Sequence, residues 1–282
     1  MMKVLRLLIL FLCGAAIASA KPARSKPESQ GTFSEQEWSG IKLIAHRGYT
    51  PAAPENSLPA FRAGGGRKYW AIETDVHQTK DGVLVCNHDA TIDRTFNGSG
   101  AIEEMTLAQL YEYRIDIGNG LDKYPDRELR IPLFREYLQA CKDHGALPFI
   151  EYKAGSLADI IAEARRYFED KDIIMSCSDF AVLAQTRAIS SEIFVHHIFS
   201  SEDYIDRLSA LGNSGMAFNY PDLRNLATLA VVRKLIARAH AAGVKVCLRA
   251  GDDRATVKRM LELGLDYIPT NVTTRECLRD AK

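Results

Sequence analysis

Between residues 41 and 268 the chain repeats one alternation: a short apolar run with strand character, then a stretch with helical periodicity. The strand-like runs fall at 41–45, 71–76, 147–151, 172–176, 193–197, 215–218, 244–248 and 266–268. Each is short and strand-like, with apolar residues on most of its length. Between them the period changes to 3.6. Leu157, Ile160, Ile161, Ala164 and Tyr167 form one helical face, and Leu229, Val232, Leu235, Ile236 and Ala239 form another. Glycine stands where several helices should end, at His144-Gly145, Ala242-Gly243 and Leu263-Gly264. Eight strands alternating with helices over about 240 residues is the pattern of a TIM (β/α)8 barrel. An open doubly wound sheet is the alternative, but no GxGxxG turn follows the first strand.

One stretch breaks the rhythm. From Asp89 to Arg130 the chain carries Asp93-Arg94, Asn97-Gly98-Ser99-Gly100 and a polar segment with Gly118, Gly120 and Pro125. That is too long for a plain strand-to-helix loop, and it predicts a small insertion after the second strand, at about 89–130. Loops on the C-terminal face of a barrel build active sites, so the insertion is expected there. The barrel with its insertion would occupy residues 38–282.

The first 37 residues stand apart from this pattern. Lys3 and Arg6 precede an apolar run through Leu12 to Ile17, and Ala18-Ser19-Ala20 supplies a small-x-small cleavage site. This predicts a signal peptide over 1–20, followed by a flexible Lys-, Pro- and Ser-rich leader over 21–37 and a secreted or periplasmic product. A membrane anchor is the alternative, but the run is shorter than the ~20 residues a spanning helix needs. With 36 basic and 36 acidic side chains, the composition carries no nucleic-acid footprint. Beyond the leader the cysteines are Cys86, Cys141, Cys177, Cys247 and Cys277. An odd number without CxxC supports neither a full disulfide framework nor a zinc knuckle. Cys86 and Cys247 read as small buried hydrophobes, and one disulfide of undetermined pairing is open.

The polar residues collect where a barrel places chemistry. Strand one ends in His46-Arg47-Gly48, strand two carries Glu73 and Asp75, and the run 83–85 leads into His88. The next strand ends Glu151-Tyr152-Lys153, and later ends offer Ser176, His196 and His197, Asn219, Arg249 and Thr270-Asn271. Residues two apart on a strand share a face, so Glu73 pairs with Asp75 and Glu151 with Lys153. Three carboxylates so placed could form an oxygen cage for Mg²⁺ or Ca²⁺, or be ordinary carboxylates salt-bridged to lysine. His46 and His88 could be a general acid and base or hydrogen-bonded structural residues. Arg47 and Lys153 could receive a phosphate.

The ordered motifs are more specific. His46-Arg47-Gly48, Pro54-Glu55-Asn56-Ser57, Glu73-x-Asp75-Val76, Thr79-x-Asp81-Gly82, His88-Asp89-x-Thr91-x-Asp93-Arg94-Thr95, Ile131-Pro132 and Glu151-x-Lys153 together closely resemble the glycerophosphodiester phosphodiesterase family. The resemblance runs from Ile41 to about Asn271 and implies a (β/α)8 barrel with an insertion after its second strand. It implies Glu73, Asp75 and Glu151 as ligands of one divalent cation, Mg²⁺ or Ca²⁺. His46 and His88 become the acid/base pair, with His46 taken as base and His88 as acid. Arg47 and Lys153 become phosphate contacts, and Glu55 and Asn56 support the site from the PEN turn. The implied reaction converts a small-molecule glycerophosphodiester to an alcohol and glycerol 3-phosphate, with a cyclic phosphate as the expected intermediate. The family's aromatic near strand seven is missing from Val246-Cys247-Leu248-Arg249, its Thr-Asp pair reads Thr270-Asn271, and Gly64-Gly65-Gly66 is unusual at the end of the first helix. These departures leave open a lyase that stops at the cyclic product, or an enzyme for larger lipid or glycan diesters. A periplasmic phosphodiester-binding protein without catalysis is disfavoured because both histidines are present.

Overall fold

In a computed structural model, which describes residues 42–220, 223, 225–249 and 251–271, eight parallel strands wrap into a nearly closed barrel. The expected signal peptide and leader, and Cys277, lie outside the described residues. The barrel strands are β1 (Lys42–Ala45), β2 (Ala71–Gln78), β4 (Leu147–Tyr152), β5 (Ile174–Cys177), β6 (Phe194–His197), β7 (Ser214–Asn219), β8 (Lys245–Arg249) and β9 (Tyr267–Thr270). They pair in parallel in the order β9-β1-β2-β4-β5-β6-β7-β8. The seam between β8 and β9 is held by the Asp266 N–H, which donates to the Val246 carbonyl at 3.0 Å. The Val246 N–H returns a bond to the Asp266 carboxylate at 2.8 Å.

Strand alternation sorts the side chains into two layers. Ile44, Ala71, Phe149, Ile174, Ala217, Cys247 and Tyr267 fill the barrel interior. The opposite faces meet the helices in a larger shell that includes Leu43, Ile72, Ile150, Met175, Val195 and Val246. The helices of that shell are α1 (Leu58–Gly66), α3 (Phe134–His144), α4 (Leu157–Ala164), α5 (Phe180–Ile189), α6 (Tyr204–Leu211), α7 (Leu226–Ala241) and α8 (Arg254–Glu262). The helical faces read from the sequence are the buried ones: Leu157, Ile160, Ile161 and Ala164 on α4, and Leu229, Val232, Leu235, Ile236 and Ala239 on α7. Tyr167 lies beyond the end of α4, half-buried against the core. Gly145, which caps α3, takes the left-handed conformation that ends a helix, at φ 66°. The glycines of α1 have a packing reason. A Cβ at Gly65 would lie 2.4 Å from His144 Cγ, so its absence lets α1 and α3 close on each other.

The run read as strand-like at 83–85 is β3 (Leu84–Cys86), antiparallel to the end of β2, with Val76 opposite Cys86. Its turn is the Thr79-x-Asp81-Gly82 motif. Thr79 Oγ1 donates to Asp81 Oδ1 at 2.6 Å and accepts from the Val83 N–H at 2.9 Å. Gly82 takes φ 80°. Asp81 also accepts the N–H of Leu107, the first residue of the short helix α2 (Leu107–Leu110). After β3 the chain builds a subsidiary core from Val85, Ile92, Phe96, Ile102, Leu110, Ile115, Leu129, Ile131 and Leu133. This excursion leans on the loop after β1. Asn119 Nδ2 donates to the Thr50 carbonyl at 2.9 Å, and a Cβ on Gly120 (φ 69°) would strike the Ala52 carbonyl oxygen at 2.4 Å.

Three strands differ from the sequence reading by more than a residue at an end, the first being β2, which runs on to Gln78. Residues 170–172 form a single 3₁₀ turn, so β5 starts at Ile174, and β9 runs on to Thr270. Cys86, Cys141, Cys177 and Cys247 are buried and free. Among the described residues no helix is long and apolar enough to cross a membrane.

Candidate active site

The C-terminal ends of β1, β2 and β4 bring the acidic residues together. Glu73 and Asp75 alternate inward on β2, and the parallel register sets Asp75 opposite Glu151 on β4. One oxygen from each carboxylate lies within 4.8 Å of the other two. Glu73 and Asp75 are buried, at 4% and 1% exposure. Lys153, just past β4, places Nζ against Glu151 and 3.1 Å from Asp75 Oδ1.

The turn after β1 folds over this cluster. Its Arg47 N–H donates to Glu73 Oε2 at 2.7 Å, and the guanidinium reaches Glu55 at 3.0 Å and Asp75 at 3.7 Å. Asn56 Nδ2 donates to Asp75 Oδ2 at 2.8 Å while Asn56 Oδ1 accepts from the Thr74 hydroxyl at 2.8 Å. The PEN turn therefore anchors Asp75 directly. Arg47 and Asn56 both adopt left-handed backbone, at φ 58° and 47°. That conformation costs a side-chain-bearing residue about 1–2 kcal/mol, which the buried hydrogen bonds offset.

Burial, then the charges of Asp75 and Glu151, push the Glu73 carboxyl well above the ordinary carboxylate range. Burial, followed by the charge of Asp75, also raises the pKa of Glu151. Burial opposes the charge on Lys153, but Asp75 and Glu151 outweigh it and raise its pKa. Glu73 Oε1 is buried without a hydrogen-bond partner. A three-carboxylate, oxygen-only donor set with an orphaned buried oxygen fits a hard divalent cation.

The two histidines flank the cluster. His46 Nδ1 lies 2.9 Å from Asn271 Oδ1, and burial followed by the charge of Arg47 lowers its pKa to about 4. His88, beyond β3, bonds Asp89 through Nδ1 at 2.6 Å, and its charge bears on Glu151. The bond from Arg94 (Nε to Oδ2, 2.5 Å) holds the Asp89 carboxyl down to about 2. Arg94 also donates to Glu55 at 2.6 Å. Glu55 thus bridges Arg47 and Arg94, and the bonds run from the acidic cluster through Arg47, Glu55, Arg94 and Asp89 to His88.

A cavity of about 540 Å³ opens over the barrel, lined by His46, Glu73 and Glu151 on one side and by Phe199, Asn219, Arg249 and Asp252 on the other. A second hollow of about 290 Å³ adjoins it, between His46, Arg47 and the excursion residues Arg94, Ile117 and Asn119. Arg47, Asn56 and Lys153 touch the cluster directly, whereas His88 is linked to it through Asp89, Arg94, Glu55 and Arg47. Of the histidines at the end of β6, only His196 faces inward. It meets Ser176 at 3.1 Å and Cys247 Sγ at 3.6 Å, and burial drives its pKa down to about 3. His197 packs outward against Tyr204, with ring centroids 4.0 Å apart. Asp252 had no role in the sequence reading, and Asp89 and Arg94 appeared there only as motif letters. Asp89 and Arg94 were marked in the sequence only by their place in the His88–Thr95 motif, and Asp252 by nothing.

An acidic cluster able to hold a cation, beside an arginine and a lysine at a barrel mouth, defines the site of a barrel enzyme acting on an anionic ester. Residues 46–274 match the model of the glycerophosphoryl diester phosphodiesterase family. The chain is 28% identical over 241 residues to a glycerophosphodiester phosphodiesterase of Caldanaerobacter subterraneus, covering 81% of this chain and 93% of that one. It is 33% identical to human glycerophosphodiester phosphodiesterase 1 over 130 residues, 46% of this chain and 39% of the human one. Among solved structures, an Oleispira antarctica phosphodiesterase in complex with the product sn-glycerol-3-phosphate aligns with TM-score 0.70 at 23% identity, over 83% of this chain and 95% of that one. A glycerophosphodiester phosphodiesterase from Agrobacterium tumefaciens aligns with TM-score 0.68 at 22% identity, over 84% and 99%. The chain belongs to the glycerophosphoryl diester phosphodiesterase family, and it is an enzyme of that class.

Proposed function

We propose that the protein hydrolyses small glycerophosphodiesters to an alcohol and glycerol 3-phosphate at the mouth of the barrel. The observation that carries this reading is the meeting of Glu73, Asp75 and Glu151 with Lys153 and Arg47 beside a cavity that His46 lines. Glu73, Asp75 and Glu151 would hold one divalent cation, Mg²⁺ or Ca²⁺. Such an ion, when bound, polarises a phosphoryl oxygen and the neighbouring glycerol hydroxyl.

The side chains carry the rest. Lys153 and Arg47 bind the non-bridging phosphoryl oxygens and offset the charge that grows on them. His46, kept neutral by burial and by Arg47, takes the proton of the glycerol 2-hydroxyl, whose oxygen attacks phosphorus. The bond from phosphorus to the alcohol oxygen breaks, and His88 gives that oxygen its proton. The Asp89 carboxylate on His88 Nδ1 supports the charged imidazole. Water then attacks the cyclic phosphate, the bond from phosphorus to the glycerol 2-oxygen breaks, His88 accepts the proton of the water and His46 returns one to the glycerol 2-oxygen. Glu55 and Asn56 keep Arg47 and Asp75 in place. The basic, apolar and small-residue segments of residues 1–20 support export, so we place the enzyme in the periplasm or outside the cell.

Phosphorus NMR on the purified protein tests this, with glycerophosphocholine, glycerophosphoethanolamine and glycerophosphoinositol under Mg²⁺, Ca²⁺ or chelator. Glycerol phosphate should appear only with a divalent cation. His46→Ala and His88→Ala should each slow turnover by about 10²–10⁴-fold. A cyclic phosphate that accumulates would make the enzyme a lyase, and near-wild-type turnover in His88→Ala would remove the acid assignment.

A further inference from the structure

We infer that Asp252 and Asn271 are positioning residues that hold His46 with its proton on Nδ1 and its Nε2 lone pair free for the substrate. This rests on the proposed reading in which His46 is the general base. The three residues follow consecutive strands of the barrel wall: Asp252 after β8, Asn271 after β9 and His46 after β1. Asp252 Oδ2 lies 3.0 Å from Asn271 Nδ2 and 3.2 Å from the Asn271 backbone nitrogen. Asp252 Oδ1 accepts from the Thr270 hydroxyl and faces the same backbone N–H at 3.3 Å.

The donor chemistry then leaves one arrangement. A carboxylate only accepts, so the amide nitrogen of Asn271 must be the atom that faces Asp252. Its Oδ1 is thereby turned to His46 Nδ1 at 2.9 Å. An amide oxygen also only accepts, so Nδ1 must carry the proton. Burial, with the charge of Arg47, lowers the ring's pKa to about 4 and keeps it neutral near pH 7, and a neutral imidazole with hydrogen on Nδ1 presents a lone pair on Nε2. With the amide reversed, its NH₂ would need Nδ1 as acceptor, the proton would move to Nε2, and the base would become a donor. Asp252 prevents that reversal. The arrangement is tied further out, since Thr50 Oγ1 donates to the Asn271 carbonyl at 3.3 Å and Asn119 donates to the Thr50 carbonyl.

The test reads the tautomer directly. The full chain is labelled with ¹⁵N-histidine, loaded with Mg²⁺, and examined by two-bond ¹H–¹⁵N NMR, with His46 assigned from its loss in His46→Gln. Wild type should show His46 protonated at Nδ1, a result that needs no variant and no substrate. In Asp252→Asn the carboxamide can either accept from or donate to Asn271, so the lock on the amide is lost and part of the protonation shifts from Nδ1 to Nε2. kcat should fall in proportion to the Nδ1–H form that is lost, with KM little changed and circular dichroism as in wild type. The exchanged pair Asp252→Asn/Asn271→Asp again sets an acceptor on Nδ1. It should restore the tautomer and most of kcat, and raise the acid limb of the pH profile because a carboxylate now faces the ring. A wild-type His46 protonated at Nε2 would overturn the inference, as would an Asp252→Asn variant that keeps both the Nδ1–H form and full kcat. An Nδ1–H ring in a protein that cleaves no diester would overturn the reaction and leave the positioning intact.

Discussion

His46 shows how a residue's chemistry depends on its surroundings. An exposed imidazole titrates near 6.5; burial, and secondarily the charge of Arg47, bring His46 down to about 4. With metal saturating, the limb of kcat/KM that reports the proposed base His46 should therefore lie well below 6.5, at pH 4 or lower, because a nearby cation further disfavours the charged ring. A pH–rate profile with that limb at 6.5 would show the ring to be solvated in the working enzyme. The same shift has a sign for stability. The unfolded chain takes up a proton below pH 6.5 that the folded ring refuses, so the contribution of His46 is full above 6.5 and is lost as pH falls toward 4. The sequence made Glu73, Asp75, Glu151 and Lys153 legible because strand parity places residues two apart on one face. It left Asp252 without a role, because the partner of Asn271 comes from a neighbouring strand end and no local pattern marks it.

At the scale of elements, the helices were the most legible parts, because a 3.6-residue apolar stripe has to face the barrel. Gly64-Gly65-Gly66 looked anomalous by that logic, since glycine weakens a helix interior. The packing supplies the reason: α1 and α3 approach so closely that Gly65 has no room for a Cβ beside His144. Gly65→Ala should destabilise the fold by about 1–3 kcal/mol, read as a lower urea midpoint at unchanged slope. kcat/KM of the folded fraction should be unaffected, because this contact lies on the outer layer. The Thr79-x-Asp81-Gly82 motif resolves similarly. Its residues build the β2–β3 turn and tie it to α2.

For the whole molecule, the proposed cation at the acidic cluster would couple folding to metal. Without a cation, Glu73 and Glu151 have pKa values above those of the unfolded chain, raised first by burial and then by neighbouring carboxylates. The folded state then binds protons that the unfolded state has released. The stability associated with these two groups is present below the ordinary carboxylate range and declines as pH rises through their native values. The proposed divalent cation would supply the missing positive charge. Adding Mg²⁺ or Ca²⁺ at a hundred times Kd should stabilise the protein by about 2.7 kcal/mol, visible as a rise in Tm that EDTA reverses. The rise should be larger at pH 7.5 than at pH 5 and should largely vanish in Glu73→Gln.

The sequence by itself determined the barrel, its insertion after the second strand and the identity of the residues at the strand ends. Those features follow from local periodicity and from motifs whose members lie close along the chain. Only the tertiary structure decided which strand ends become neighbours. It joined Asp75 to Glu151 by register, linked Arg47 to His88 through Glu55, Arg94 and Asp89, and set Asn271 between Asp252 and His46. Hydrogen bonds between residues up to 225 positions apart depend on how the sheet closes, and barrel closure is a property of all the strands together.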